Sequence, residues 1–178
     1  EGISQEAISL AGHLKLSKLI VLFDDNNISI DGAIDLSDST DQLMRFEASG
    51  WNVNRVDGHD HEYIEKAIEE AIKSNKPSLI ACKTKIGFGS PSKEGKSSSH
   101  GAPLGAEDIV QMKKNLNWDY EEFEIPSNIK DAWRLVGLKN SSKRQEWEER
   151  LSNNKDKEIE FLKDIDGQIS EELDKEIN

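Results

Sequence analysis

Apolar runs and amphipathic stretches take turns along the first half of this chain. Leu19-Ile20-Val21-Leu22-Phe23 is five apolar residues in a row, long enough for a buried strand and too short for an ordinary helix. Trp51 to Val56 alternates apolar and polar positions, the signature of a half-covered strand. Ser78 to Thr84, after Lys76-Pro77, reads as the third strand. Ahead of the first, Ile3, Ala7, Leu10, Ala11 and Leu14 follow the three-and-four spacing of one helical face, predicting a helix over Ile3 to Leu16 in which Gly12 permits close packing. Thr40 or Asp41 caps a short helix through Ala48, with Leu43, Met44 and Phe46 partly buried, and Gly50 stops it. His61 to Lys73 carries Ile64, Ala67, Ile68, Ala71 and Ile72 on its inner face. This order implies an α/β fold: a parallel sheet with right-handed crossovers, flanked by helices. All three carboxyl ends then share one rim, where such sheets bind ligands.

The second half is more polar. Gly32 to Asp41 reads as loop, and the Ser-, Lys- and Gly-rich stretch from Ser90 to Ser99 as an exposed mobile loop. A helix follows from Ala106 to about Asn115, then an extended Phe123-Glu124-Ile125-Pro126 and a helix from Ser127 to Leu135. From Lys139 to Asn178 the chain is dense in charge, with Trp147, Leu151, Ile159, Phe161, Leu162 and Ile165 spaced to line helices. Residues 1–138 are therefore expected to form one domain, and 139–178 a charged helical linker that needs a neighbour.

Composition narrows the function classes. The 178 residues carry a formal net charge of −12, which argues against nonspecific binding to nucleic acid or anionic membranes. A local cluster of cations still allows a phosphorylated substrate. No apolar run approaches the ~20 residues of a membrane span. Cys82 is the single cysteine, so no internal disulfide forms, and a reducing, cytoplasmic setting is expected.

The candidate chemistry starts where the first strand becomes Asp24-Asp25-Asn26-Asn27-Ile28-Ser29-Ile30-Asp31-Gly32. Asn26 offers a side-chain oxygen, and Ile28, two residues on, a backbone carbonyl. Hard oxygen donors of this kind suit Mg²⁺, which completes its octahedron with phosphates. Asp and Asn after a strand are also ordinary turn formers. A calcium loop starting at Asp25 fails, because Ile30 falls where glycine is needed and Leu36 where the bidentate Glu is needed. His100 follows a polar loop and precedes Gly101 and Pro103; histidine is the side chain most able to exchange protons near neutrality. Thr84-Lys85-Ile86-Gly87-Phe88-Gly89 lets backbone approach a ligand closely. For Asp57-Gly58-His59-Asp60 two readings compete: His59 touches the ligand-binding rim, or the motif only forms a turn with Asp60 capping the next helix, and the turn is favoured.

Taken together, five separated stretches resemble the transketolases: Glu1-Gly2-Ile3-Ser4, the Asn26 turn, Asp57-Gly58-His59-Asp60, Ile86-Gly87-Phe88-Gly89 and His100-Gly101-Ala102-Pro103-Leu104-Gly105. Phe123 to Pro126 is similar to a further family stretch. The resemblance implies a partly complete thiamine-diphosphate-binding fold, the later part of the diphosphate domain, because the family's Gly-Asp-Gly triplet would precede Glu1. It implies Asn26 and Ile28 as metal ligands for Mg²⁺, Ile30 and Ile86 as apolar walls of the cofactor site, and Glu1 in a carboxylate network at a homodimer interface. His100 would contact cofactor and substrate and act on developing alkoxides. Gln5 replaces a family His, with no consequence attached. The implied reaction of the intact parent moves a two-carbon ketol unit between sugar phosphates, from xylulose 5-phosphate to ribose 5-phosphate. The isolated chain is expected to be inactive. Alternatives are a related thiamine enzyme, such as dihydroxyacetone synthase or deoxyxylulose-phosphate synthase, or a noncatalytic half-subunit that needs a partner chain.

Overall fold

A computed structural model describes residues 2–177. The chain divides into two compact units, one ending at Asp119 and the other beginning at Tyr120.

The first unit is built on three strands: β1 (Ile20–Asp25), β2 (Asn52–Asp57) and β3 (Ser78–Lys83). All pairings are parallel and β3 lies in the middle, with Asp25 and Asp57 both opposite Lys83. The expected strands, sheet and common rim are thus present. Because side chains alternate across a sheet, Val21, Phe23, Val53 and Leu79 share one face and Ile20, Ile80, Cys82 and Val56 the other. The first face packs against α1 (Gly2–His13) and α2 (Gln42–Ala48), around Ala11 and Trp51. The second packs against Ala67, Ala71 and Ile68 of α3 (His61–Lys73).

Local chemistry sets the helix ends. Asp41 accepts the Met44 N–H at 3.0 Å, and Asp60 accepts those of Glu62 and Tyr63, two N-caps of the expected kind. α2 ends in a Schellman turn. Gly50 takes a φ of 88°, its N–H reaches the Glu47 carbonyl, and the Trp51 N–H reaches that of Phe46. The Phe46 and Trp51 rings then meet edge to face at 5.0 Å, the apolar contact that accompanies this cap. α1 ends in the same way, but with Lys15 in the left-handed position at φ 51°. The helix therefore stops at His13 rather than at Leu16.

Three packing expectations need correction. Ile3, Leu10 and Leu14 are exposed and α1 packs through Ile8, Ala11 and Gly12, because spacing identifies an apolar stripe without saying which edge of it meets the sheet. Met44 and Ile72 are likewise exposed. Phe123 is not extended: its φ is 60°, its side chain is fully exposed, and the Glu124 N–H closes a turn on the Glu121 carbonyl.

After a long loop, α4 (Ala106–Asn115) completes the first unit. The second unit is helical: α5 (Ser127–Leu138), α6 (Ser141–Ser152), α7 (Lys155–Ile165) and α8 (Glu171–Ile177). α5 runs past the expected end at Leu135 to Leu138; Gly137, with open space around it, weakens a helix without breaking it. Trp147 and Phe161 meet edge to face at 5.6 Å and join α6 to α7.

Candidate functional site

At the carboxyl end of β1 the chain folds into a tight loop. Ile28 pairs with Ala33 in an isolated antiparallel bridge, flanked by Ser29 N–H to Gly32 carbonyl (2.8 Å) and Ile34 N–H to Asn27 carbonyl (3.0 Å). In such a non-hydrogen-bonded pair each residue points its own N–H and C=O away from the partner. The Ile28 N–H, so directed, donates to Asn26 Oδ1 at 3.0 Å. The Ile28 carbonyl leaves an extended residue on the same side as its N–H, so the Asn26 side-chain oxygen and this carbonyl face one way. A carboxamide oxygen has a second lone pair. The turn thus offers two neutral oxygen donors on one side, a donor set that suits a hard cation. Among the described residues no group of three or more His, Cys, Asp or Glu side chains is placed to hold a metal, so further ligands have to come from phosphate, water or other residues.

The Asn26 amide is oriented from behind. Its Nδ2 donates to Asp24 Oδ2 at 3.1 Å, and the other oxygen of Asp24 accepts from the Thr84 hydroxyl, just past β3. Asp24 thus ties the turn after β1 to the segment after β3. Both residues open stretches singled out in the sequence, but neither is assigned a role there.

From Thr84 a chain of contacts leads toward His100. Lys85 donates its N–H to His59 Nε2 and its ammonium to Glu94. Glu94 also accepts the Gly89 N–H at 2.8 Å, and the Ile86 carbonyl accepts from Gly95. The Gly89 amide and Lys85 hold the Glu94 carboxyl below its usual range. Gly87, at φ 62°, lies so close to Ser99 that a Cβ would sit 3.2 Å from the Ser99 side chain. The Ile86 turn and the residue before His100 therefore touch. His100 is exposed and its N–H closes the short 3-10 turn of Ser97–Ser99.

The segment from Ser90 to Ser99, expected to be mobile, is densely bonded instead. Asp108, in the first turn of α4 and only 9% exposed, accepts from the Ser90 hydroxyl and from the Ser92 N–H. The Ser90 bond, with that of Ser92, lowers its carboxyl from the ordinary value against the opposing effect of burial. Lys93 reaches the Pro103 carbonyl at 2.6 Å, and Asn115 the Gly89 carbonyl. Small polar residues read as flexible when their partners lie far along the chain, and here those partners fix the path to His100.

The wall candidates differ. Ile86 is half-buried, whereas Ile30 is 70% exposed. The Glu1 assignment lies outside the described residues. A trough of about 830 Å³ opens on the α1 and α2 side of the sheet. Asp25, Arg55 and Lys83 line it, Asp25 and Arg55 being 3.6 Å apart across the small Ala81. It reaches Asn27 but not Ile86 or His100. Gln5 accepts from Arg45 at 2.9 Å and links α1 to α2.

A family model described as transketolase, thiamine diphosphate binding domain, matches residues 1–174. The chain belongs to the transketolase family. A transketolase of Sinorhizobium medicae is 47% identical over 98% of this chain, which spans 26% of that protein. The crystal structure of Campylobacter jejuni transketolase matches 85% of this chain at 43% identity and a TM-score of 0.80, over 24% of its own length. A Pichia stipitis transketolase variant crystallised with fructose 6-phosphate matches 96% at 38% identity and a TM-score of 0.84, over 26% of its length. The chain therefore spans about a quarter of these transketolases, and the parallel sheet with its flanking helices is their thiamine-diphosphate-binding architecture.

Proposed function

We propose that this chain supplies the metal- and diphosphate-holding part of a thiamine-diphosphate site. The enzyme that contains it transfers a two-carbon ketol unit from a ketose phosphate such as xylulose 5-phosphate to an aldose phosphate such as ribose 5-phosphate. The reading rests on the turn after β1, where Asn26 Oδ1 accepts the Ile28 N–H and Ile28 pairs with Ala33 at the rim of the sheet, in a transketolase-family chain. The Asn26 side-chain oxygen and the Ile28 carbonyl would hold Mg²⁺, which would supply positive charge for the cofactor diphosphate. When bound, thiamine diphosphate supplies the electron sink for cleaving and making the carbon–carbon bond.

This chain's own residues do the remaining work. His100 hydrogen-bonds the donor ketose and the diphosphate, and holds or returns the proton at the developing alkoxide. Ile30 and Ile86 form dry walls, and the exposed Ile30 is covered in the assembled enzyme. Glu1 joins the carboxylate network of a homodimer working in the cytoplasm. Residues 1–138 belong to the diphosphate domain and 139–178 to the linker. No helix among the described residues is long and apolar enough to cross a membrane.

The test is a ketol-transfer assay with xylulose 5-phosphate and ribose 5-phosphate. A full-length transketolase carrying this sequence turns over with thiamine diphosphate and Mg²⁺, and the 178-residue chain alone does not. Turnover by the isolated chain would overturn the claim that it holds part of the site, and a full-length enzyme inert toward ketose phosphates would overturn the reaction.

A further inference from the structure

The turn after β2 reaches further than a helix cap needs to. Gly58 donates its N–H to the Lys83 carbonyl, and a Cβ there would lie 2.4 Å from the Thr84 methyl; only glycine lets the two strand ends come so close. This approach presents the next residue, His59, to the loop after β3. Its backbone N–H is fixed by Asp57 Oδ1 at 2.9 Å. Its Nε2 accepts the Lys85 N–H at 3.0 Å, and its ring stacks on Phe88 with centroids 3.8 Å apart and planes 20° apart. Two independent contacts, at the start and near the end of one turn, thus come from a single side chain in the turn that follows another strand.

We propose that His59 is a positioning residue that clamps the Lys85–Gly89 turn, and with it Ile86, to the end of β2. An acceptor Nε2 requires a neutral ring protonated on Nδ1. The charged groups around it are Asp57 and Asp60 on its own turn, and Lys85 and Glu94 across the gap; the last two are bonded to each other. That Ile86 walls a cofactor site rests on the function proposed above; the clamp itself does not.

The experiment uses the ¹⁵N-labelled 178-residue chain without cofactor, so the clamp is judged separately from the thiamine reading. Long-range ¹H–¹⁵N spectra report the tautomer, and the expected result is a proton on Nδ1 with a bare Nε2. Hydrogen exchange at the Lys85 amide is then compared in two variants. His59→Phe keeps an aromatic ring but removes the acceptor, and speeds exchange about threefold to tenfold, as the loss of one hydrogen bond dictates. His59→Gln returns an acceptor at similar reach and restores at least half of the lost protection. A neutral ring protonated on Nε2, unchanged exchange in His59→Phe, or His59→Gln as fast as His59→Phe would each overturn the clamp. The tautomer decides even if a variant fails to fold. Titrating the wild-type chain and His59→Phe with thiamine diphosphate and Mg²⁺ leaves this outcome untouched whichever way it goes.

Discussion

At Gly12 α1 lies against the residue that caps the end of α2, and replacing it by alanine is a sharp stability test of the first unit. A Cβ at Gly12 would lie 1.8 Å from the Ser49 carbonyl oxygen, 2.9 Å from its carbon and 3.4 Å from Trp51 Cδ1. The nearest obstacle is backbone, so no side-chain rotation relieves it and α1 has to retreat by more than an ångström. Overpacking of this kind costs about 1–3 kcal/mol. Retreat also stretches the bond from Trp51 Nε1 to the Ile8 carbonyl, now 2.9 Å, whose loss costs about 1 kcal/mol. Against this, alanine gains about 1 kcal/mol over glycine inside a helix. The net is about 1–3 kcal/mol of destabilisation, which at a urea slope of about 1–3 kcal/mol per molar lowers the midpoint by about 1 M.

The assay is maleimide labelling of Cys82 across a urea series. Cys82 is the only thiol, lies buried in the sheet, and has its ionisation pushed up by burial and by Asp24. It therefore reports the opening of the first unit alone. Gly137→Ala is the control, since a Cβ there meets nothing within 4 Å; it leaves the Cys82 midpoint where it was. A Gly12→Ala chain as stable as the wild type would refute the packing of α1 described here.

Two further outcomes follow from the same geometry. Lys15→Gly removes a left-handed lysine from the end of α1 and stabilises the first unit by about 1 kcal/mol, read as a rise in the same Cys82 midpoint; a fall would contradict the cap. Glu94 and Asp108 both have lowered folded pKa values. Their contribution is thus complete above the unfolded carboxylate range, about 3.9–4.3, and is lost as pH falls through the lower folded values. Amide exchange at Gly89 and Ser92, corrected for its intrinsic pH dependence, stays constant from pH 7 to 5 and quickens below about pH 4. A loop that loosens already at pH 6 would show that other groups hold it.

The sequence made the skeleton legible for definite reasons. The five-residue apolar run from Leu19 into β1, the mixed apolar and polar pattern of β2 and a proline before β3 set the strands apart from the helices. α3 and α4 begin and end where their periodicity and flanking residues put them. The cap at Asp60 and the close contact at Gly12 were legible from residue type, and for α2 the sequence offered Thr40 or Asp41, of which the fold uses Asp41. What escaped depends on distance along the chain. Thr84 meets Asp24 across 60 positions and Ser90 meets Asp108 across 18, and no local pattern announces either pair. Lys15 and Phe123 adopt a conformation that their side chains disfavour, so propensity points the wrong way at both. Of the candidate site, the Asn26 turn was readable as a side-chain oxygen and a backbone carbonyl two residues apart, whereas the contacts that orient it, from Asp24 and Thr84, became visible only in the fold.

The central claim is that Asn26 and Ile28 hold the metal of a thiamine-diphosphate site. It is tested most directly by titrating thiamine diphosphate, with Mg²⁺ present, into full-length transketolase carrying this sequence and into its Asn26→Ala variant. Removing a metal ligand predicts affinity weaker by at least about tenfold in the variant, a loss on the scale seen for disturbed metal shells. Equal affinity in the two proteins, both folded, would contradict the account.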